Sequence, residues 1–438
     1  MTLGTVKRVV EKRDRKDRSL INTINTSFSG DAFAMTIDQR TCTIENRDSL
    51  PYGSQLSAVI ATISFDGSLL VYRKFDKDRQ PDDDTGWLAY NSTDSLDLSD
   101  SLQLKLTSND NSSKRLYKLK VNVHSQEGDS LYWNQCESEV DALKNLTDMK
   151  AFVLDDKLMV LGNNGSNIVL AERSGIDAQG TWNKSDIPTT DLPLASDLQT
   201  LCQDAKANML YLSAGNKIYS STDAKTWTQV GSYSASLTLI EKTENCFYAI
   251  SGDKLLYSTD ATTWVEDKLD SDATLLPVSD IRALTLQQDN GSRRIVMVGQ
   301  RDGIANSVVW NKSWNDGWKN HDEVGAEWMY FPITSDNKIP CPKLKYPNLL
   351  RYDGKCVVFG GASADGSGQH KAFGAMYVSQ DYGITWRPSD IHHMPIQLEE
   401  ANINGCITSV VDKNNYIWII TNAQVWRGRL NRLGFAQQ

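Results

Sequence analysis

Cysteine and histidine are scarce in this chain, seven and five among 438 residues. No two cysteines stand as Cys-x-x-Cys and their number is odd, so neither a zinc knuckle nor a fully paired disulfide framework is expected. Cys246 and Cys356 open two similar apolar runs, Cys-Phe-Tyr-Ala-Ile and Cys-Val-Val-Phe-Gly, which assigns them to a core. No apolar run approaches the ~20 residues of a membrane helix. Basic charge is also in deficit. The net charge is -9; residues 1–127 hold 18 basic and 18 acidic groups, leaving 28 and 37 for the rest. Such a balance excludes a nucleic-acid partner and a polybasic lipid contact. The mixed run Lys7 to Arg18 reads as a solvated hairpin tip.

Motifs for cofactors and metals are missing too. His392-His393 lacks helical zinc spacing and a third ligand, and Gly360-Gly361 through Gly366-Ser367-Gly368 has no phosphate-cradling Gly-Lys-Ser/Thr ending. Asp76, Asp78 and Asp82 to Asp84 are the one weak calcium candidate, better read as a solvated loop. No cofactor and no metal are expected.

What is present is β-structure. Residues 1–127 alternate apolar and polar in short runs, such as Leu102-Gln-Leu-Lys-Leu106 and Leu116 to Val123, separated by clusters such as Asp66-Gly67-Ser68. Half-buried strands between tight turns describe an antiparallel sandwich. His124 to Asp129 reads as a hinge.

Beyond it the chain repeats. Met209 to Leu212, Phe247 to Ile250 and Val357 to Gly360 each lead through a turn to a run ending Ser-x-Asp and then Thr-Trp. The three runs place Ser221, Asp223 and Trp227, then Ser258, Asp260 and Trp264, then Ser379, Asp381 and Trp386. Degenerate copies begin at Leu158, Ile295 and Tyr416. Six small meanders that cannot each bury two faces predict a radial closure, a six-bladed β-propeller over 128–438, with seven blades if 320–345 contains one lacking the motif.

The motif resembles the Asp-box, or BNR repeat, of sialidase-like propellers. Its serine and aspartate suit a turn lock and its tryptophan a buried wedge, so these nine residues are structural. An aspartate that recurs in each copy is not a catalytic acid. The sialidase arginine triad and Arg-Ile-Pro motif have no counterpart. Glu399-Glu400, in the connection before the last blade, is the only paired candidate for glycosidic carboxylates, and no catalytic residue is assigned.

The opening Thr2-Leu-Gly-Thr-Val-Lys-Arg8, the Asp48 to Gly53 turn, the Tyr117 to His124 strand and the closing Val425 to Asn431 resemble a Bacteroidetes surface lipoprotein family of unknown function. That family joins an Ig-like domain to an Asp-box propeller. The resemblance implies export and an outer-membrane lipoprotein at the cell surface or facing the periplasm. It implies membrane contact only through a lipid anchor outside this chain, and it transfers no catalytic positions. The expected function is non-enzymatic binding or adhesion, recognising a glycan or surface protein through one propeller face, as a monomer. The alternatives are a sialidase-like glycan hydrolase and a structural part of an outer-membrane complex. Aromatic density in loops that leave the repeat nominates Trp310, Trp314, Trp318, Trp328 and Tyr330 as ligand-binding, with His392 and His393.

Overall fold

The computed structural model describes all residues except 14–18, 80–82, 205, 289, 316, 318–321, 335–336, 365, 368–369, 371, 401–406 and 433–438, and omits the side chains of 399–400. The strand-built chain separates into two compact units, Met1–Ser130 with the residues from Asn431 on, and Leu131–Leu430.

The first unit holds three sheets. Six strands form the largest, in the order Met35–Asp38, Thr43–Asn46, Lys114–Lys120, Leu102–Thr107, Leu69–Lys74 and Leu88–Ala89. Alternation produces its one-sided burial: Leu102, Leu104, Leu119 and Leu70 point into a core shared with Leu3, Val6 and Val59. One pair departs from the antiparallel expectation. Lys118–Lys120 runs parallel to Thr43–Glu45, because the chain returns to that edge through a long crossover and not a hairpin. Strands Thr5–Arg13 and Leu20–Ser29 pair antiparallel, as the charged run at their junction requires. The tip of that run lies outside the described residues.

The second unit is six four-stranded sheets. Five are meanders in chain order, opening with Asp148–Leu154, Ser196–Asp204, Thr238–Lys242, Ser279–Gln287 and Asn348–Tyr352. The repeated apolar runs of the sequence are the second strands, among them Lys157–Asn163, Phe247–Ser251 and Ile417–Ile420. They are apolar on successive residues because both of their faces are covered, one by each neighbouring sheet.

The sixth sheet is composite. Thr408–Val411, Ile417–Ile420 and Val425–Asn431 are joined at the outer edge by Ser130–Glu137, from the other end of the unit. Trp133 seals that join: its ring lies where a Cβ on Gly428 would stand, and its Nε1 donates to the His393 carbonyl at 2.6 Å. Each first strand touches the first strand of the next sheet, and 408–411 touches 148–154, so the cycle is closed. A closed cycle of radial four-stranded meanders is a β-propeller. Trp328–Tyr330 is the fourth strand of the fourth sheet, and the described residues of 331–347 carry no strand.

Candidate functional site

The first strands of adjacent sheets run in the same direction. Residues near strand starts bond to one another, as in Gln199 Nε2 to Asp148 Oδ1 at 2.7 Å and Arg282 Nε to the Pro347 carbonyl at 2.9 Å. Residues near strand ends do likewise, as in Gln203 Nε2 to the Val153 carbonyl and Lys242 with Asp204. These six strands therefore enclose an axis, and a cavity of about 460 Å3 opens along it. Its lining comes from five of the six first strands and includes Lys150, Gln199, Gln203, Glu241, Arg282 and Arg351.

Three of those strands break register where they face the channel. The irregularities fall between Asp197 and Cys202, between Leu239 and Glu241, and between Ser279 and Arg282. A bulge inserts a residue and turns a side chain that the regular pleat would place elsewhere. At the third, Asp280 has φ 49°, a left-handed conformation costly for any residue but glycine.

The channel is layered by charge. At the end where the first strands finish, charges are paired: Asp204 with Lys242 at 3.6 Å, and Glu244 with both Arg293 and Lys206. Deeper, Lys150, Glu241 and Arg282 line the cavity and are half-buried. Loss of hydration there pushes Glu241 up to about 7, against the pull of Lys150 and Lys242. The same loss, reinforced by the Arg282 charge, brings Lys150 down to about 8. Asp197 and Asp280 are also raised by lost hydration. Lys150 and Glu241, both shifted toward neutrality, line one cleft, which makes it the candidate site for ligand or proton chemistry.

The nominated aromatics stand elsewhere, and three are corrected. Trp310, Trp314 and Trp328 are 0%, 2% and 0% exposed, packed with Tyr248, Ile295 and Met297. They belong to the third and fourth strands of the fourth sheet, so their rings face neighbouring sheets and cannot stack on a ligand. Half-buried Tyr330 packs on Trp310 at 5.2 Å between centroids. Trp318 lies outside the described residues, as do the side chains of Glu399 and Glu400. His392 is 1% exposed and shares a hydrogen bond with Ser389 at 2.8 Å, which makes it a core group. His393 is half-buried and supplies the carbonyl that holds Trp133.

Among the described residues no cluster of metal-ligating side chains occurs. The acidic loop residues are committed locally: Asp76 accepts the Asp78 N–H, Asp83 the Thr85 N–H, and Asp84 pairs with Lys105. Cys246 and Cys356 are buried.

The three Ser-x-Asp turns join third to fourth strands. In the first, Asp223 Oδ1 accepts the N–H groups of Lys225 and Thr226, both at 2.8 Å, while Ser221 Oγ accepts that of Ala224 at 2.9 Å. Asp260 and Asp381 repeat the pattern with Ser258 and Ser379. Ala224 and Ala261 take left-handed φ of 62° and 60°, and Gly383 takes 94°. Their carbonyls receive the indole N–H groups of Trp227, Trp264 and Trp386. The close fit extends between sheets, since a Cβ on Gly231 would stand 2.0 Å from the Ala261 carbonyl.

Trp386→Ala is expected to cost roughly 3–5 kcal/mol, as a buried aromatic truncation. Asp381→Ala should cost about 1–2 kcal/mol for the lost acceptor. Both are read from urea unfolding. The turn bonds hold Asp223, Asp260 and Asp381 below the usual carboxylate value of 3.8, against the opposing loss of hydration. Their stabilisation is therefore present above about pH 4 and lost as pH falls further, and Asp381→Ala should flatten that acid limb.

Several solved structures are similar to this chain, at low identity and low TM-score. A streptogramin B lyase is 12% identical with a TM-score of 0.37, over 69% of this chain and 98% of its own. An α-L-arabinofuranosidase from Fusarium graminearum is 13% identical with a TM-score of 0.40, over 69% and 98%. An α-L-arabinanase from Penicillium chrysogenum is 14% identical with a TM-score of 0.37, over 66% and 94%. No curated protein sequence matches the chain. Residues 127–438 match the DUF6242 beta propeller domain, and residues 1–121 match the N-terminal domain of the same family, a domain of unknown function. With most of its length covered by these two matches, the chain belongs to the DUF6242 family.

Proposed function

We propose that this protein is a non-enzymatic binding protein at the cell surface or facing the periplasm, with a glycan or surface protein recognised at the mouth of the axial channel. In this reading each of the six sheets is one blade, the Ser-x-Asp turns are Asp-boxes that lock blade edges, and the first unit is an Ig-like domain of a lipid-anchored chain. The observation that carries the proposal is the coincidence of three strand irregularities with the ionisable lining of the channel. Strands distort where a side chain must be aimed, and the Ser-x-Asp turns already account for the repeated aspartates.

The test is a glycan and surface-protein array probed with the full chain and with Ala283→Tyr and Gln203→Tyr, which narrow the lumen. Binding that is lost in both variants, at unchanged circular dichroism, supports the channel as the site. Binding that survives both places recognition elsewhere.

A hydrolase is the second reading, favoured by Glu241. A carboxyl raised to about 7 can give up a proton at neutral pH. Glycosidic cleavage also asks for a second carboxylate about 5–9 Å away. Reducing sugar released from array-positive glycans, and abolished by Glu241→Gln, would favour the enzyme.

A further inference from the structure

We propose that Lys150 and Arg282 together seat one carboxylate group of an acidic sugar held in the axial channel. The inference rests on the channel being the ligand site and adds the chemistry of what it takes.

Arg282 is held in a fixed plane. Its Nε donates to the Pro347 carbonyl at 2.9 Å and its Nη1 to the Ile281 carbonyl at 2.8 Å. Both acceptors are neutral, so they orient the guanidinium without forming an ion pair with it. The fork still has its second terminal nitrogen to offer, the geometry that suits a carboxylate oxygen.

Lys150 reaches the same lumen from the first sheet. Beyond lost hydration, the Arg282 charge pulls Lys150 down, partly offset by Glu241 and Asp148, while Asp280, Asp197 and Asp148 act on Arg282 from beyond ion-pair distance. By contrast, Lys242, Lys206 and Arg293 at the channel end all have carboxylate partners. Two poorly hydrated cations that line one cavity without an ion-pair partner among the described residues favour an anion that completes them.

The surrounding carboxylates limit the charge of that anion. Asp148, Asp197, Asp280 and Glu241 all lie within electrostatic reach of the cation pair. They oppose a dianionic phosphate more strongly than a single carboxylate. Gln199, Gln203 and Thr285 add amide and hydroxyl groups suited to sugar hydroxyls, and among the described residues no aromatic ring lines the cavity. A cavity of about 460 Å3 falls in the range of small-ligand sites.

The experiment is calorimetric titration of the full chain with D-glucuronate and D-galacturonate, each against its methyl ester, and with inorganic phosphate. At least one uronate is expected to bind at least tenfold more tightly than its ester, and phosphate not at all. Lys150→Met and Arg282→Gln should each weaken that uronate tenfold or more, with Arg282→Lys between. Melting curves verify that each variant is folded, and Lys150→Met serves should Arg282→Gln fail to fold. Equal binding of uronate and ester, sensitive to Ala283→Tyr, overturns the carboxylate seat and leaves the channel reading intact. Uronate binding that ignores both charge variants, or no uronate binding, also overturns the seat. Uronate binding insensitive to the lumen-filling variants defeats the channel reading itself.

Discussion

A chain ending at Asp412 is expected to lose the cooperative melting of the second unit. It would lack Ile417–Ile420 and Val425–Asn431, the middle strands of the sixth sheet. Seven well-buried side chains would go with them: Ile417, Trp418, Ile419, Ile420, Val425, Trp426 and Leu430. At roughly 1.5–3 kcal/mol each, their burial alone is worth more than about 10 kcal/mol. That equals or exceeds the ~5–15 kcal/mol by which a domain is stable. The loss is compounded because Thr408–Val411 and Ser130–Glu137 would both be left without their strand partners. Scanning calorimetry decides the matter. A chain ending at Leu433 should melt like the full-length protein. A chain ending at Asp412 that stays monomeric with a wild-type transition would show that the sixth sheet does not close the ring.

The second large effect concerns a charge pair between the third and fourth sheets. Lys312 Nζ lies 2.7 Å from Asp267 Oδ2, with side chains 0% and 1% exposed. The same carboxylate oxygen accepts the Trp328 indole N–H at 2.9 Å, and Lys312 also donates to the Ala326 carbonyl. Asp267→Ala would strand an ammonium and an indole N–H in an anhydrous interior, at a cost of roughly 3–5 kcal/mol. Replacing both ends, as in Asp267→Leu with Lys312→Met, removes the stranded charge and should recover most of that loss. Urea unfolding of Asp267→Leu, Lys312→Met and the double variant gives the coupling. If Asp267→Ala melts within a degree of the wild type, the pair is not buried in solution.

The propeller was legible because its turns repeat a chemical motif, and Asp223, Asp260 and Asp381 could be aligned by eye. The composite sixth sheet answers a physical demand, that neither end of the ring leave an edge exposed. The aromatic cluster was misread where that motif fails. Without Ser-x-Asp before Trp328, nothing in the sequence marked 308–314 and 328–330 as adjacent strands, so their tryptophans looked like loop decoration. The channel went unread for another reason. Five first strands contribute short runs or single lining residues, and sequence separates one contribution from the next by 35 residues or more. A faint signal was present: Asp148-x-Lys150, Asp197-x-Gln199 and Asp280-x-Arg282 repeat an acid followed two residues later by a long polar side chain. The parallel pairing of 118–120 with 43–45 was unreadable, since either hand of pairing suits the same alternation.

The composite sheet also sets a clock on biosynthesis. Ser130–Glu137 is made early, but its partner Val425–Asn431 is made some 290 residues later. At about 5–20 residues per second, the early strand waits roughly 15–60 s on the ribosome with its backbone groups unclaimed. Five sheets can stack in order as they emerge, while the ring has to stay open until the last stretch of chain is free. During that wait the unclaimed edge is a template for pairing with another nascent chain. The cell is therefore expected to need a holdase for this protein throughout elongation, and slowing translation near the 3′ end of its message should lower its soluble yield.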